Sequence, residues 1–130
     1  MVSPQRNNEE VINNESSIPA PDTRHPAPSV LGVIGHPIGH SLSPAMQNAA
    51  IRALGLDNVY VPFDVPPASL PQAIDGLRAL GIPGVNVTIP HKEAVIGLLD
   101  EITDEARLIG SVNTILNQNG RLIGSSTDGA

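Results

Sequence analysis

A chain of 130 residues has room for one domain and hardly for two. Its net charge of −6, with no basic stripe, argues against nucleic acid as a partner, and the absence of cysteine excludes disulfides, thiolate catalysis and Cys-ligated zinc. No apolar run approaches a membrane-spanning length and the opening MVSPQRNNEE lacks a signal-peptide core, so a cytoplasmic protein that does not engage membranes is expected.

With one Tyr, one Phe and no Trp, the core must come from Val, Ile, Leu and Ala, which suits strands covered by helices. Residues 1–28, rich in Asn, Glu, Ser and Pro, are expected to form a disordered tail, because they bury too little apolar surface to offset their ordering entropy. Residues 29–130 are expected to form the single domain. Val30–Ile34, stopped by Gly35, reads as a buried strand. Ser43 followed by Pro44 reads as the N-cap and first turn of a helix, with Met46, Ala49, Ala50, Ala53 and Leu54 on its apolar face and Gly55 at its end.

Val59–Val65 is the next strand. A second helix carries Leu70, Ala73, Ile74, Leu77 and Leu80 on one face, with a capping box from Ser69 and Gln72. Gly84–Ile89 is a third strand, stopped by Pro90. A short helix is expected over Lys92–Leu99, and another from the cap Thr103 to about Ile109, closed by Gly110. Val112–Leu116 and Arg121–Gly124 read as a hairpin around Asn119-Gly120. The order β-α-β-α-β-α-α-β-β implies an α/β fold: a mixed, mainly parallel sheet with helices on both faces. The chain ends at Thr127-Asp128-Gly129-Ala130, where a turn has just opened, and this reads as a cut rather than a domain end.

Four segments carry chemistry. The stretch from Gly35 to Pro44 links a strand's C-terminal end to a helix start, where ligands bind in open α/β sheets. There, the hydroxyls of Ser41 and Ser43 could hold a carboxylate, or Ser43 could merely cap the helix. His36 and His40 are four apart, but Pro37 and Gly39 between them break a helix and no third ligand is evident, so no metal site is expected.

In the run from Asn86 to Lys92, Lys92 is the chain's only lysine; unlike the arginines it can give up a proton, though a surface lysine on a turn would look the same. Thr88 offers a hydroxyl from the same strand end. In Gly110–Thr114, Asn113 stands in a Val/Ile-rich strand, either to bind ligand hydroxyls or to tie down a loop. Asp128-Gly129 is ordinarily a turn, but a carboxylate placed beside Lys92 could help relay a substrate proton.

Taken in order, Ser-Leu-Ser-Pro, Asn-Val-Thr-x-Pro-His-Lys, Gly-Ser-Val-Asn-Thr and Thr-Asp-Gly resemble the shikimate dehydrogenase family over about residues 30–129. The resemblance implies the substrate-binding domain of an enzyme that reduces 3-dehydroshikimate to shikimate with NADPH, in aromatic amino-acid biosynthesis. It implies Ser41 and Ser43 on the substrate carboxylate, and Thr88, Asn113 and Asp128 on ring hydroxyls. Lys92 would be the proton donor and acceptor, paired with Asp128. Asp104 would reach the cofactor, and the full-length enzyme could be a homodimer.

The sequence departs from the family at Gln47, where a His usually precedes Asn48, and at Ser126, where Asn is usual. No Gly-x-Gly-x-x-Gly turn is present, so the NADP-binding domain is expected to be absent and the 130 residues to be inactive alone. The alternatives are a stand-alone shikimate- or quinate-binding module and a non-catalytic relic.

Overall fold

The computed structural model describes residues 29–127. The expected tail and Asp128 lie outside the described residues. The strands are β1 (Ser29–Gly35), β2 (Asn58–Asp64), β3 (Gly84–Val87), β4 (Glu101–Ile102), β5 (Thr114–Gln118) and β6 (Arg121–Ser125). The α-helices are α1 (Ser43–Leu54), α2 (Leu70–Leu80) and α3 (Asp104–Ile109). All six strands share one sheet in the order β2-β1-β3-β5-β6-β4. The pairs β2–β1, β1–β3 and β6–β4 are parallel and β5 is antiparallel to both its neighbours, so the sheet is mixed and mainly parallel, as expected.

Side chains alternate between the two faces. One face sends Ile34, Val85, Val87, Ile115 and Leu122 into a core with Leu70, Ile74 and Leu77 of α2 and Ala106 of α3. The other face carries a smaller cluster in which Val33 and Tyr60 pack with Ile38 and with Ile51 of α1. Helices therefore cover both faces.

Several local expectations are corrected. α1 does turn at Gly55, which adopts φ +68°, but Ser43 is not its cap: Leu42 holds that position without a side-chain cap bond. Ser41 Oγ accepts from the Ser43 N–H at 3.2 Å instead. The apolar stripe Met46, Ala49, Ala50, Ala53 and Leu54 points outward. The inward stripe is Pro44, Asn48 and Ile51, three positions at helical spacing. Asn48 fills it by bonding the backbone of edge strand β2, its Nδ2 donating to Tyr60 O (2.8 Å) and its Oδ1 accepting from Tyr60 N–H (2.9 Å). Pro62, two residues on, presents the same outward side and has no N–H, so this edge offers little to a further strand.

Ser69 caps α2 by position but makes no side-chain cap bond, because a 3₁₀ turn over Pro67–Ser69 leads into the helix. Leu80, expected in the core, is 77% exposed. Lys92–Leu99 is no α-helix: turns lead to a 3₁₀ segment at Ile96–Leu98, consistent with β-branched Val95 and Ile96 and with Gly97. Thr103 caps α3 as expected, accepting from the Ala106 N–H at 3.2 Å. The β5–β6 turn has positive φ at Asn119 (56°) and Gly120 (94°), the geometry that tight hairpins require.

Candidate active site

Strands β1, β3, β6 and β4 all finish at one edge of the sheet, and antiparallel β5 begins there. The described chemical segments converge on that edge. Residues 36–42 leave β1, residues 88–92 leave β3, residues 111–113 enter β5 and residues 126–127 leave β6. Backbone bonds knit them together. The N–H of His36 donates to Ile89 O (3.1 Å) and that of Thr88 to Ile34 O (2.9 Å). The N–H of Val87 donates to Asn113 O (2.9 Å), that of Val112 to Lys92 O (2.8 Å) and that of Asn113 to Ser125 O (2.9 Å).

Gly35 lies where the loops after β1 and β3 close on each other. A Cβ built on it would sit 2.5 Å from Thr88 Cγ2, closer than atoms tolerate, and 3.1 Å from Ile89 O, a tight contact. A side-chain-free residue is therefore required for this approach. Both loops carry a cis proline, at His36-Pro37 and Ile89-Pro90.

Of the residues singled out in the sequence, Thr88, Lys92 and Asn113 are brought together through these bonds. Ser41 and Ser43 stand half-buried on the neighbouring loop at the start of α1. Asn113 does tie down a loop, since its Nδ2 donates to Thr127 Oγ1 at 2.8 Å. Lys92 is half-buried and borders a cleft of about 280 Å³ with Ile89, Pro90, Glu93 and Ser111. Asp104 follows Thr103 at the same edge, because the Thr103 N–H donates to Gly124 O at 2.9 Å. Its side chain is 93% exposed and pairs with Arg107 at 3.2 Å.

Among the described residues, no three His, Cys, Asp or Glu side chains gather as a metal site. His36 instead pairs with Asp64 at 2.7 Å. An apolar hollow of about 190 Å³ between α2 and the sheet, lined by Ile34, Phe63, Val65 and Leu77 among others, lacks the polar side chains that would orient a hydroxylated ligand.

His91 was missed as a site residue, although it lies within the motif. It is 1% exposed, and its Nε2 lies 2.6 Å from Val65 O. A carbonyl only accepts, so this nitrogen carries the hydrogen. The Val65 N–H in turn donates to Gly35 O at 2.9 Å. His91 thus locks the loop bearing Lys92 to the ends of β2 and β1. A histidine beside a proline at a strand end was the one available signal, and it does not distinguish a buried strut from an exposed ring.

A second group was also missed. Tyr60 is buried, its phenol pKa raised by desolvation, and its hydroxyl donates to Asn86 Oδ1 at 2.8 Å. Asn86 Nδ2 lies 3.3 Å from both Asn113 O and Thr114 Oγ1.

Comparison with known proteins identifies the fold and the family. Residues 33–115 match the model of the shikimate dehydrogenase substrate binding domain. The chain is 60% identical over 100 residues to an NADP(+) shikimate dehydrogenase of Symbiobacterium thermophilum, covering 77% of this chain and 34% of that protein. A crystal structure of a shikimate dehydrogenase in complex with NADP+ superimposes with a TM-score of 0.76 at 52% identity, covering 85% of this chain and 37% of that one. The Thermus thermophilus enzyme, solved with NADP(H) and shikimate, gives 0.74 at 45% identity, covering 77% and 38%. The chain spans about a third of the length of the curated relatives it matches. By its sequence match and its fold together, the chain belongs to the shikimate dehydrogenase substrate-binding domain family.

Proposed function

We propose that this sheet edge binds shikimate or its 3-keto form and that Lys92 carries the proton as ketone and alcohol interconvert. The observation behind this reading is the junction of Thr88, Lys92 and Asn113 through the Val87–Asn113 and Val112–Lys92 bonds, beside the Ser41–Ser43 loop. In this reading Ser41 and Ser43 hold the carboxylate, and Thr88, Asn113 and Asp128 hold ring hydroxyls. The Lys92 ammonium donates a proton to the ketone oxygen on reduction, and the amine recovers it from the hydroxyl in reverse. Asp128 pairs with Lys92 and orients that hydroxyl.

The relatives named above use NADP, which supplies or accepts the hydride when bound. The residues present here do not fit a dinucleotide. No strand-to-helix loop is a Gly-x-Gly-x-x-Gly turn, and the carboxylate of Asp104 at its helix start would repel a phosphate. The chemistry assigned to this chain's own residues is therefore confined to substrate binding and proton transfer. Asp104 is proposed as a rim contact to a hydrogen-bond donor of the cofactor, a role its exposure suits.

The same reading makes the protein cytoplasmic, with ring acids rather than nucleic acid or membranes as partners, and leaves a homodimer as the candidate assembly of the full-length enzyme. No described helix is long and apolar enough to cross a membrane. Calorimetric titration of the 130-residue chain with shikimate tests the proposal. Saturable heat is expected, with affinity reduced about 3- to 10-fold by Ser41→Ala or Thr88→Ala, the loss of one hydrogen bond each. A flat titration would reject it.

A further inference from the structure

We propose that Thr114, by its direct bond, and Tyr60, acting through Asn86 and Thr114, are positioning residues that fix the way the Asn113 amide faces; the consequence for ligand binding rests on the reading above. The bonds form a directed chain across four strands, from Tyr60 on β2, past β1, to Asn86 on β3, then to Thr114 at the start of β5 and to Asn113 beside it.

The assignments start from an atom that can only accept. Asn86 lies 3.3 Å from the backbone oxygen of Asn113, an atom that accepts and never donates, so the amide nitrogen of Asn86 must face it. That leaves Asn86 Oδ1 facing Tyr60, and the phenol donates to it at 2.8 Å. Asn86 Nδ2 also reaches Thr114 Oγ1 at 3.3 Å, so this hydroxyl accepts there. Its single hydrogen is then spent on Asn113 Oδ1 at 2.9 Å. The Asn113 oxygen is thereby drawn toward Thr114, and its nitrogen is turned toward Thr127 Oγ1 at 2.8 Å.

A reversed Asn113 amide would make Thr114 Oγ1 accept twice, from Asn86 and from Asn113, and would take away the Asn113 Oδ1 acceptor that the Thr114 hydrogen now uses. The outer end of Asn113 therefore carries the amide nitrogen rather than the oxygen, which suits hydroxyl, carbonyl or carboxylate oxygens. None of this depends on Tyr60 or Thr114 touching a ligand. Tyr60 acts from the smaller core, where its ring packs with Val33, Ile38 and Ile51.

The test uses the 130-residue chain, labelled with ¹⁵N, and the variants Tyr60→Phe, Thr114→Val and Thr114→Ser. The first readout needs no ligand: the side-chain NH₂ resonances of Asn86 and Asn113. Tyr60→Phe and Thr114→Val are expected to move both pairs, while Thr114→Ser, which keeps the hydroxyl, leaves them near the parent positions. The second readout is shikimate affinity, expected to fall about 3- to 10-fold in Thr114→Val, less in Tyr60→Phe, and to be restored in Thr114→Ser.

Asn113 resonances indifferent to both Tyr60→Phe and Thr114→Val would overturn the inference, whatever the ligand does. Equal shikimate affinity in parent and Thr114→Val, with the resonances moved, would overturn the positioning role. If the parent chain takes up no shikimate, the ligand reading fails separately and the resonances alone decide the orientation. Should Tyr60→Phe not fold, the Thr114 pair carries the decision by itself.

Discussion

Replacing His91 tests how the loop bearing Lys92 is held. Its ring is 1% exposed and donates to Val65 O at 2.6 Å, while the N–H of Val65 is bonded to Gly35. His91→Leu keeps most of the volume and removes the donor, leaving a buried carbonyl without its protein partner, at a cost of about 1–3 kcal/mol. His91→Ala adds a cavity and is expected to cost more, about 3–5 kcal/mol in total. For a domain of this size each kcal/mol moves the melting temperature by about 4–8 °C. Urea unfolding followed by circular dichroism measures both variants, and the order parent, Leu, Ala is the predicted ranking. A His91→Leu chain within about 0.5 kcal/mol of the parent would refute the strut, because a surface-type substitution costs no more than that.

Three further outcomes are expected. Gly35→Ala pushes a methyl into Thr88 Cγ2 and Ile89 O, so it should destabilise the chain by about 1–3 kcal/mol and lower shikimate affinity, read by melting and titration; an unchanged melt would contradict the close approach. Asn48→Ala removes both bonds to Tyr60 and exposes the β2 edge, so light scattering should reveal concentration-dependent self-association that the parent lacks. The Asp100 carboxyl is held below the ordinary carboxylate range, first by the Leu122 N–H at 2.7 Å and then by Arg78. A depressed folded pKa contributes stability above the ordinary value, about pH 4, and that contribution is lost as pH falls through the folded value. The stability gap between parent and Asp100→Asn should therefore narrow on acidification, and a gap that widens would show the sign to be wrong.

The alternation of strand and helix, the helix-ending glycines, the Thr103 cap and the Asn119-Gly120 turn were legible because local chemistry sets them. β4 was not, since two residues carry no period and are held as a strand only by β6. The direction of α1 was misread for a physical reason. Periodicity tells which residues share a face, not which face has something to pack on, and the true inward stripe hides behind polar Asn48, whose partner is a backbone rather than a core. At the site, the residue types and their loops could be read. The links between them could not, because the Val112–Lys92 and Asn113–Thr127 bonds join segments separated by other elements. His91 and Tyr60 escaped for the same reason: each acts through a bond to a residue 26 positions away in the sequence.

The proposed function places one ring acid between Lys92, the chain's single lysine, and Asp128. A crystal structure of the 130-residue chain soaked with shikimate tests it most directly. The expected result places the carboxylate at Ser41 and Ser43, with Lys92 Nζ and the Asp128 carboxylate on one ring hydroxyl. Shikimate bound elsewhere, or Lys92 and Asp128 on opposite faces of the sheet, would contradict it.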